Sequence, residues 1–196
     1  MVVRRHDLCG VLVVAVLAAF CLPGCGGKPL DREAWTARGE TVLKPFKQRL
    51  MGALTEALQD GPEEAIEVCA VVAPEIAAEI SSAEVKVGRT SHKLRNPENA
   101  PANWMEPLLT RYAAAPGEIG PDVVRLENGG VGYVEPIYVK TPCLACHGSE
   151  LSPAVSSRIA EHYPHDDARG FAEGDFRGLF WVEFREERVD AYRETE

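Results

Sequence analysis

The sequence predicts an α+β domain with its helices first and its strands later, and three observations carry that expectation. Apolar residues recur at three- and four-residue spacing between residues 31 and 80, the mark of helices with one buried face. Beyond residue 84 the pattern changes to short, alternating, β-branched runs, which suit half-buried strands. Two of those runs flank Asn128-Gly129-Gly130, a turn sequence that readily supplies positive φ and so joins them as a hairpin. There is no internal repeat and no low-complexity tract.

The chain opens on a leader. Arg4 and Arg5 form a short basic start, Leu8 to Leu22 is almost wholly apolar, and Leu22-Pro23-Gly24-Cys25 then places small residues before a cysteine. That order describes a secretory signal over residues 1–24, because the apolar run is shorter than the roughly 18 to 20 residues needed to span a membrane. Leu-x-Gly-Cys also has the form of a bacterial lipoprotein box, in which Cys25 becomes the lipid-bearing first residue, although Pro23 is a less usual occupant than Ala or Ser. An ordinary signal peptide cut nearby and a short uncleaved anchor are the alternatives. Each of them places the domain outside the cytoplasm, on the periplasmic side of a bacterial membrane.

Residues 25–30 form a Gly-containing tether, and the folded domain is expected over 31–185, with a charged tail over 186–196. Asp31 can cap a long helix whose buried face is Trp35, Val42, Leu43, Phe46, Leu50, Leu54 and Leu58. Pro45 is expected to kink that helix or split it into a pair. Gly61-Pro62 closes it and opens a second helix to about residue 80, with Ile66, Cys69, Val72, Ala73, Ile76, Ala77 and Ile80 on one face. Residues 84–89 read as a strand, and residues 90–101 as a long turn-rich loop. Asn103 is positioned to cap a short helix over Trp104, Leu108, Leu109 and Tyr112. Strands are expected at 123–127 and 131–139, a helix at 153–163, an acidic loop at 164–174 and a last strand at 177–184.

The hairpin leads directly into Cys143-Leu144-Ala145-Cys146-His147, which reads C-x-x-C-H. Two thiols at this spacing can each add to a vinyl group of one haem, with the following histidine as proximal iron ligand, so the motif signals covalent attachment of one haem c. A thioredoxin-like dithiol and half of a zinc site share the bare C-x-x-C. The first belongs at a helix start in a βαβ pattern, and the second needs another Cys or His pair at similar spacing. Here the motif follows an extended run ending in Thr141-Pro142, and no second C-x-x-C occurs.

Composition restricts the partners. Removing residues 1–24 from 196 leaves 172, the size of one domain. The formal charge is −9, and loss of Arg4, Arg5 and Asp7 with the leader takes it to −10, which argues against nucleic acid and against adsorption to anionic lipid by charge. A redox partner or signalling protein with a basic docking face is the electrostatic complement. Of six cysteines, Cys9 and Cys21 leave with the leader, Cys25 carries lipid, and Cys143 and Cys146 carry haem. Cys69 is the odd thiol. It is either a small buried hydrophobe or a thiolate reaching the open side of the iron. The 90–101 loop offers Arg89, Lys93 and Arg95 as cations for haem propionates, and His92 as another residue able to ligate iron.

Four ordered blocks carry a resemblance. They are Ala65-Ile66-Glu67-Val68-Cys69 with Ala73-Pro74; Val87-Gly88-Arg89-Thr90-Ser91 with Lys93-Leu94-Arg95-Asn96-Pro97; the C-x-x-C-H with Gly148; and Tyr163-Pro164-x-Asp166-x-Ala168-x-Gly170-Phe171-x-x-Gly174-Asp175-Phe176-Arg177-Gly178. Residues 31 to 184 resemble the PAS-like, single-haem c-type domain family, found as stand-alone exported proteins and as sensor domains of membrane kinases. The resemblance implies a PAS-like antiparallel sheet with flanking helices, haem held through Cys143 and Cys146, His147 as proximal ligand and Cys69 as distal ligand. Arg177, in the last block, joins Arg89 and Arg95 as a candidate cofactor-binding cation. His92 departs from the family pattern; its polar neighbours favour an exposed loop histidine, the other reading being a competitor, with Met105 or an open site, for the sixth position.

The function expected from these readings is that of a lipid-anchored monohaem c-type cytochrome in one-electron transfer or redox sensing. A haem-based sensor of nitric oxide or carbon monoxide is the rival. A small peroxidase is weaker, because no distal acid and base pair is identifiable, and a non-haem interaction lipoprotein is the remaining reading.

Overall fold

The computed structural model describes residues 29–185 apart from Pro116 and Glu118. The leader, Cys25, most of the tether and the charged tail lie outside the described residues. Helix α1 (Arg32–Asp60) starts where Asp31 accepts a hydrogen bond from the Ala34 amide at 3.1 Å. It runs through Pro45 as one helix, so the expected split into a pair does not occur. The amide that proline removes would have bonded the Thr41 carbonyl, and both positions are exposed, so that carbonyl is open to solvent. Leu43, Phe46 and Leu50 are fully buried, whereas Leu58, expected on the same stripe, is 39 % exposed.

Gly61, at φ 132°, turns the chain into a second helical segment of three parts. These are α2 (Glu64–Glu67), one wide π turn (Val68–Val72) and α3 (Ala73–Ile80). The π turn breaks the 3.6-residue pattern. Val68, not Cys69, enters the core beside Leu43, Phe46 and Ile76, while Cys69 is only half-buried. Wide turns of this kind are rare and concentrate at functional sites.

Four strands form one antiparallel sheet in the order β1-β4-β3-β2, with β1 Val85–Thr90, β2 Asp122–Arg125, β3 Val131–Tyr138 and β4 Phe176–Phe184. The β2–β3 turn is the expected one, with Gly129 at φ 85° and the Asn128 side chain accepting from the Gly130 amide. Helices α1 and α3 cover one face through Val87, Tyr133, Val182 and Phe184. Helix α4 (Glu106–Ala114) covers the other through Leu108, Leu109 and Tyr112 against Val134 and Leu179. It begins two residues later than expected, because Asn103–Met105 form a single tight turn ahead of it and Asn103 does not cap it. Asp122 accepts from both Arg32 and Arg111, joining α1, β2 and α4 at one buried carboxylate. The result is an α+β fold with an antiparallel sheet and flanking helices, as the PAS-like resemblance implies. Among the described residues no helix is long and apolar enough to cross a membrane.

Candidate functional site

The C-x-x-C-H occupies a tight turn (Thr141–Cys143) followed by the one-turn helix α5 (Leu144–His147). A helical turn places Cys143, Cys146 and His147 around one short segment, which is what two thioether links and a ligand to the same group require. Both thiols are free and partly exposed. Cys143 packs with Val139, Ala168 and Phe171, and Cys146 with Ile66, Val155, Ile159 and Tyr163, so the two sulfurs lie against different apolar clusters. Helix α6 (Pro153–His162), capped by Ser152, supplies the second.

His147 is oriented by one hydrogen bond, from Nδ1 to the Ala168 carbonyl at 2.8 Å. A carbonyl cannot donate, so Nδ1 carries the proton and Nε2 keeps its lone pair for a metal. Burial, followed by the charges of Arg177 and Arg95, pushes the ring down to about 3, so it is neutral in ordinary conditions. A neutral imidazole with its distant nitrogen anchored on a carbonyl is the usual state of a metal-ligating histidine.

Three loops close around the motif. The Gly170 and Phe171 amides donate to the Gly148 and His147 carbonyls, both at 3.0 Å, and the Asp167 amide donates to the Leu94 carbonyl at 2.8 Å. Arg95 is 7 % exposed and binds Asp166 through Nε at 3.0 Å, while its Nη2 donates to the Cys146 and Ala168 carbonyls. The structure therefore commits Arg95 inside the protein, although the sequence offers it as a propionate cation. The acidic 164–174 loop, part of the fourth block of the family resemblance, supplies Asp166, Ala168 and Phe171 to this clasp. Lys93 likewise points inward, with its Nζ on the Arg169 carbonyl and 4.8 Å from the Phe171 ring.

Arg177 is different. Strand β4 pairs Phe176 with Tyr138 and Gly178 with Ile137, leaving Arg177 as the extra residue of a β-bulge. A bulge re-aims a side chain, and here Nη1 donates to Ser91 Oγ at 2.7 Å and to the Lys93 carbonyl at 3.2 Å. No ion pair among the described residues includes it. Burial, then the nearby Arg95 and Arg89 charges, lowers its guanidinium to about 10, which makes the place receptive to an anion. Arg89, on β1, is also without an ion pair among the described residues and contributes to the same positive field.

A charge on the Cys69 sulfur would act on Cys146, Tyr163 and Arg177 alike. The π turn thus brings the odd thiol to the motif's side of the molecule, and Ile66 and Ala70 pack there with Cys146. The Cys146 thiol is pushed up, chiefly by burial, which is the reverse of what a dithiol redox pair requires. No group of three or more His, Cys, Asp or Glu side chains among the described residues is arranged to hold a metal ion, as a structural zinc site requires.

His92 is exposed, stacks on Phe176 with centroids 5.5 Å apart, and meets Phe171 edge-on. Phe171 in turn meets His147, so His92 belongs to the aromatic packing around the proximal candidate. Met105 is buried at the turn that opens α4 and shares no apolar cluster with Cys143 or Cys146 among the described residues.

Two carboxylates give the fold a pH dependence. Burial pushes Asp166 up, but hydrogen bonds from Arg95 and Arg169 outweigh it and hold the carboxyl below its usual range. Asp122 is lowered in the same way by Arg111, the Val123 amide and Arg32. A depressed folded pKa stabilises above the unfolded value of about 3.9 and is lost as pH falls through the folded one. Stability of the haem-free chain in urea unfolding is expected to decline below about pH 6.5, where the unfolded His147 ring takes a proton that the buried ring refuses until about pH 3, and these carboxylates add to the decline below about pH 4, less so in Asp166→Asn.

Residues 32–185 match the family model for Tll0287-like proteins. Among solved structures, the cyanobacterial haem protein Tll0287 matches with a TM-score of 0.60 at 25 % identity, over 79 % of this chain and 96 % of that one. No curated protein matches. With the family model spanning most of its length and a solved member sharing its fold, this chain belongs to the Tll0287-like family.

Proposed function

We propose that the chain is an exported, lipid-anchored monohaem c-type cytochrome that acts in one-electron transfer or redox sensing. One observation carries the reading: His147 gives its Nδ1 proton to the Ala168 carbonyl and leaves Nε2 free, one residue from a free thiol and four from another. The name of the solved relative, a haem protein, supports the same cofactor. Bound haem supplies a reversible one-electron change at its iron.

The chain's residues divide the remaining work. Cys143 and Cys146 would hold the group covalently, and His147 and Cys69 would ligate its iron. Arg177 and Arg89 would bind the propionates, being the two arginines of the site without a carboxylate partner among the described residues. The apolar wall of Ile66, Val155, Ile159, Val139 and Phe171 keeps water from the site. Cys25 anchors the mature chain to the membrane, and its negative charge favours a redox or signalling partner with a basic face.

Protein matured in a host competent for c-type haem attachment is expected to give a c-type pyridine haemochrome spectrum and to keep its haem on a denaturing gel. Cys143→Ala/Cys146→Ala is expected to lose all covalently held haem. Wild-type protein that carries none under these conditions would sink the reading.

A further inference from the structure

Two side chains share one acceptor. The Ala168 carbonyl takes the His147 Nδ1 proton at 2.8 Å and a second hydrogen bond from Arg95 Nη2 at 3.2 Å. Its peptide is fixed at the other end as well, since the Ala168 amide donates to Asp166 Oδ1 at 3.0 Å. Asp166, its side chain 1 % exposed, aims Arg95 with both oxygens and is itself held by Arg169 Nε at 2.7 Å. Arg95 Nη2 also donates to the Cys146 carbonyl at 2.6 Å, immediately before His147. One buried guanidinium thus touches the peptide before the histidine and the carbonyl that orients its ring.

A hydrogen bond at the remote nitrogen increases the basicity of a ligating imidazole. A carbonyl has two lone pairs, and a cation drawing on one of them leaves it a poorer acceptor for the other donor.

We propose that Arg95 is a positioning residue for His147, weakening the pull of the Ala168 carbonyl on the ring and so raising the reduction potential of the site. This rests on the haem reading given above. Arg95 acts through a shared backbone oxygen, and its own charge acts in the same direction. Lysine separates the two contributions, because it keeps the charge and lacks the planar fork that reaches Asp166, Cys146 and Ala168 together.

The test uses holo-protein, with the pyridine haemochrome recorded first for every variant. Wild type without covalent haem refutes the underlying reading itself. In Arg95→Gln, spectroelectrochemical titration is expected to show a lower potential, by roughly tenfold in the ferric-to-ferrous equilibrium, or ~59 mV for one electron. Arg95→Lys is expected to shift in the same direction. In the diamagnetic ferrous state, taken as the carbon monoxide adduct where the iron is otherwise high-spin, the His147 Nδ1 proton resonance should move downfield in both variants. A lysine variant indistinguishable from wild type in potential and resonance would reduce Arg95 to a simple charge and overturn the proposal. If Arg95→Gln fails to mature, the lysine variant decides alone.

Discussion

Cys69→Ser is expected to abolish the low-spin ferric spectrum of the holo-protein and to raise its reduction potential. A thiolate donates density to ferric iron and stabilises it, and a serine hydroxyl is a poor substitute of nearly the same volume. Because Cys69 is half-buried, free and on the π turn, the exchange should alter folding stability by no more than about 0.5 kcal/mol. The spectral change is therefore readable against an intact fold. An unchanged low-spin ferric spectrum would exclude Cys69 as the distal ligand. Titration of the reduced wild type with carbon monoxide divides the two uses of such a ligand. A large spectral change favours the gas-sensor reading, and a negligible one favours a six-coordinate electron carrier.

Gly178→Ala is expected to damage the fold and the site together. Gly178 has φ +156°, and a Cβ there would lie 2.2 Å from the Thr90 carbonyl oxygen and 3.1 Å from Ser91 Cβ. The first obstacle is backbone of the paired strand β1 and cannot rotate away. Strain and overlap together should cost roughly 2–4 kcal/mol, or a fall of roughly 4–16 °C in Tm for a domain of this size. The same residue follows the bulge that aims Arg177 at Ser91 and Lys93, so haem retention should drop as well. Gly52→Ala is the control: nothing lies within 4 Å of a Cβ there, and on an exposed helical position alanine should add up to about 1 kcal/mol. A Gly178→Ala variant as stable as wild type in thermal unfolding by circular dichroism would refute this account of the bulge.

The elements readable in the sequence are those whose cause is local. Asp31, Gly61 and the Asn128-Gly129-Gly130 turn mark boundaries by their own chemistry, and the C-x-x-C-H states its spacing outright. The π turn was not readable, because a regular 3.6-residue count assigns Cys69 to the core stripe and only tertiary packing puts Val68 there instead. Arg95 illustrates a second limit. A basic residue on a long loop looks free until Asp166, seventy-one positions later, arrives to bury it. Ala168 had no side-chain signal at all, since its contribution is a backbone oxygen. Arg177 is named by the resemblance, but the bulge that aims it is not legible, because it depends on the pairing of β4 with β3, which no single segment encodes.

The clasp around the motif also imposes an order in time. Cys146 is enclosed by residues from both sides of the sequence, and the contacts that orient His147 come from positions 166–171, downstream of it. In a chain that emerges N-terminus first, residues 143–147 arrive before the segment that shapes them. Once residues 166–178 have followed and Arg95 is buried, access to the same sulfurs narrows. Under the function proposed above, covalent loading would belong to the interval between those two arrivals, and a mutation that hastened closure of the clasp would shorten it.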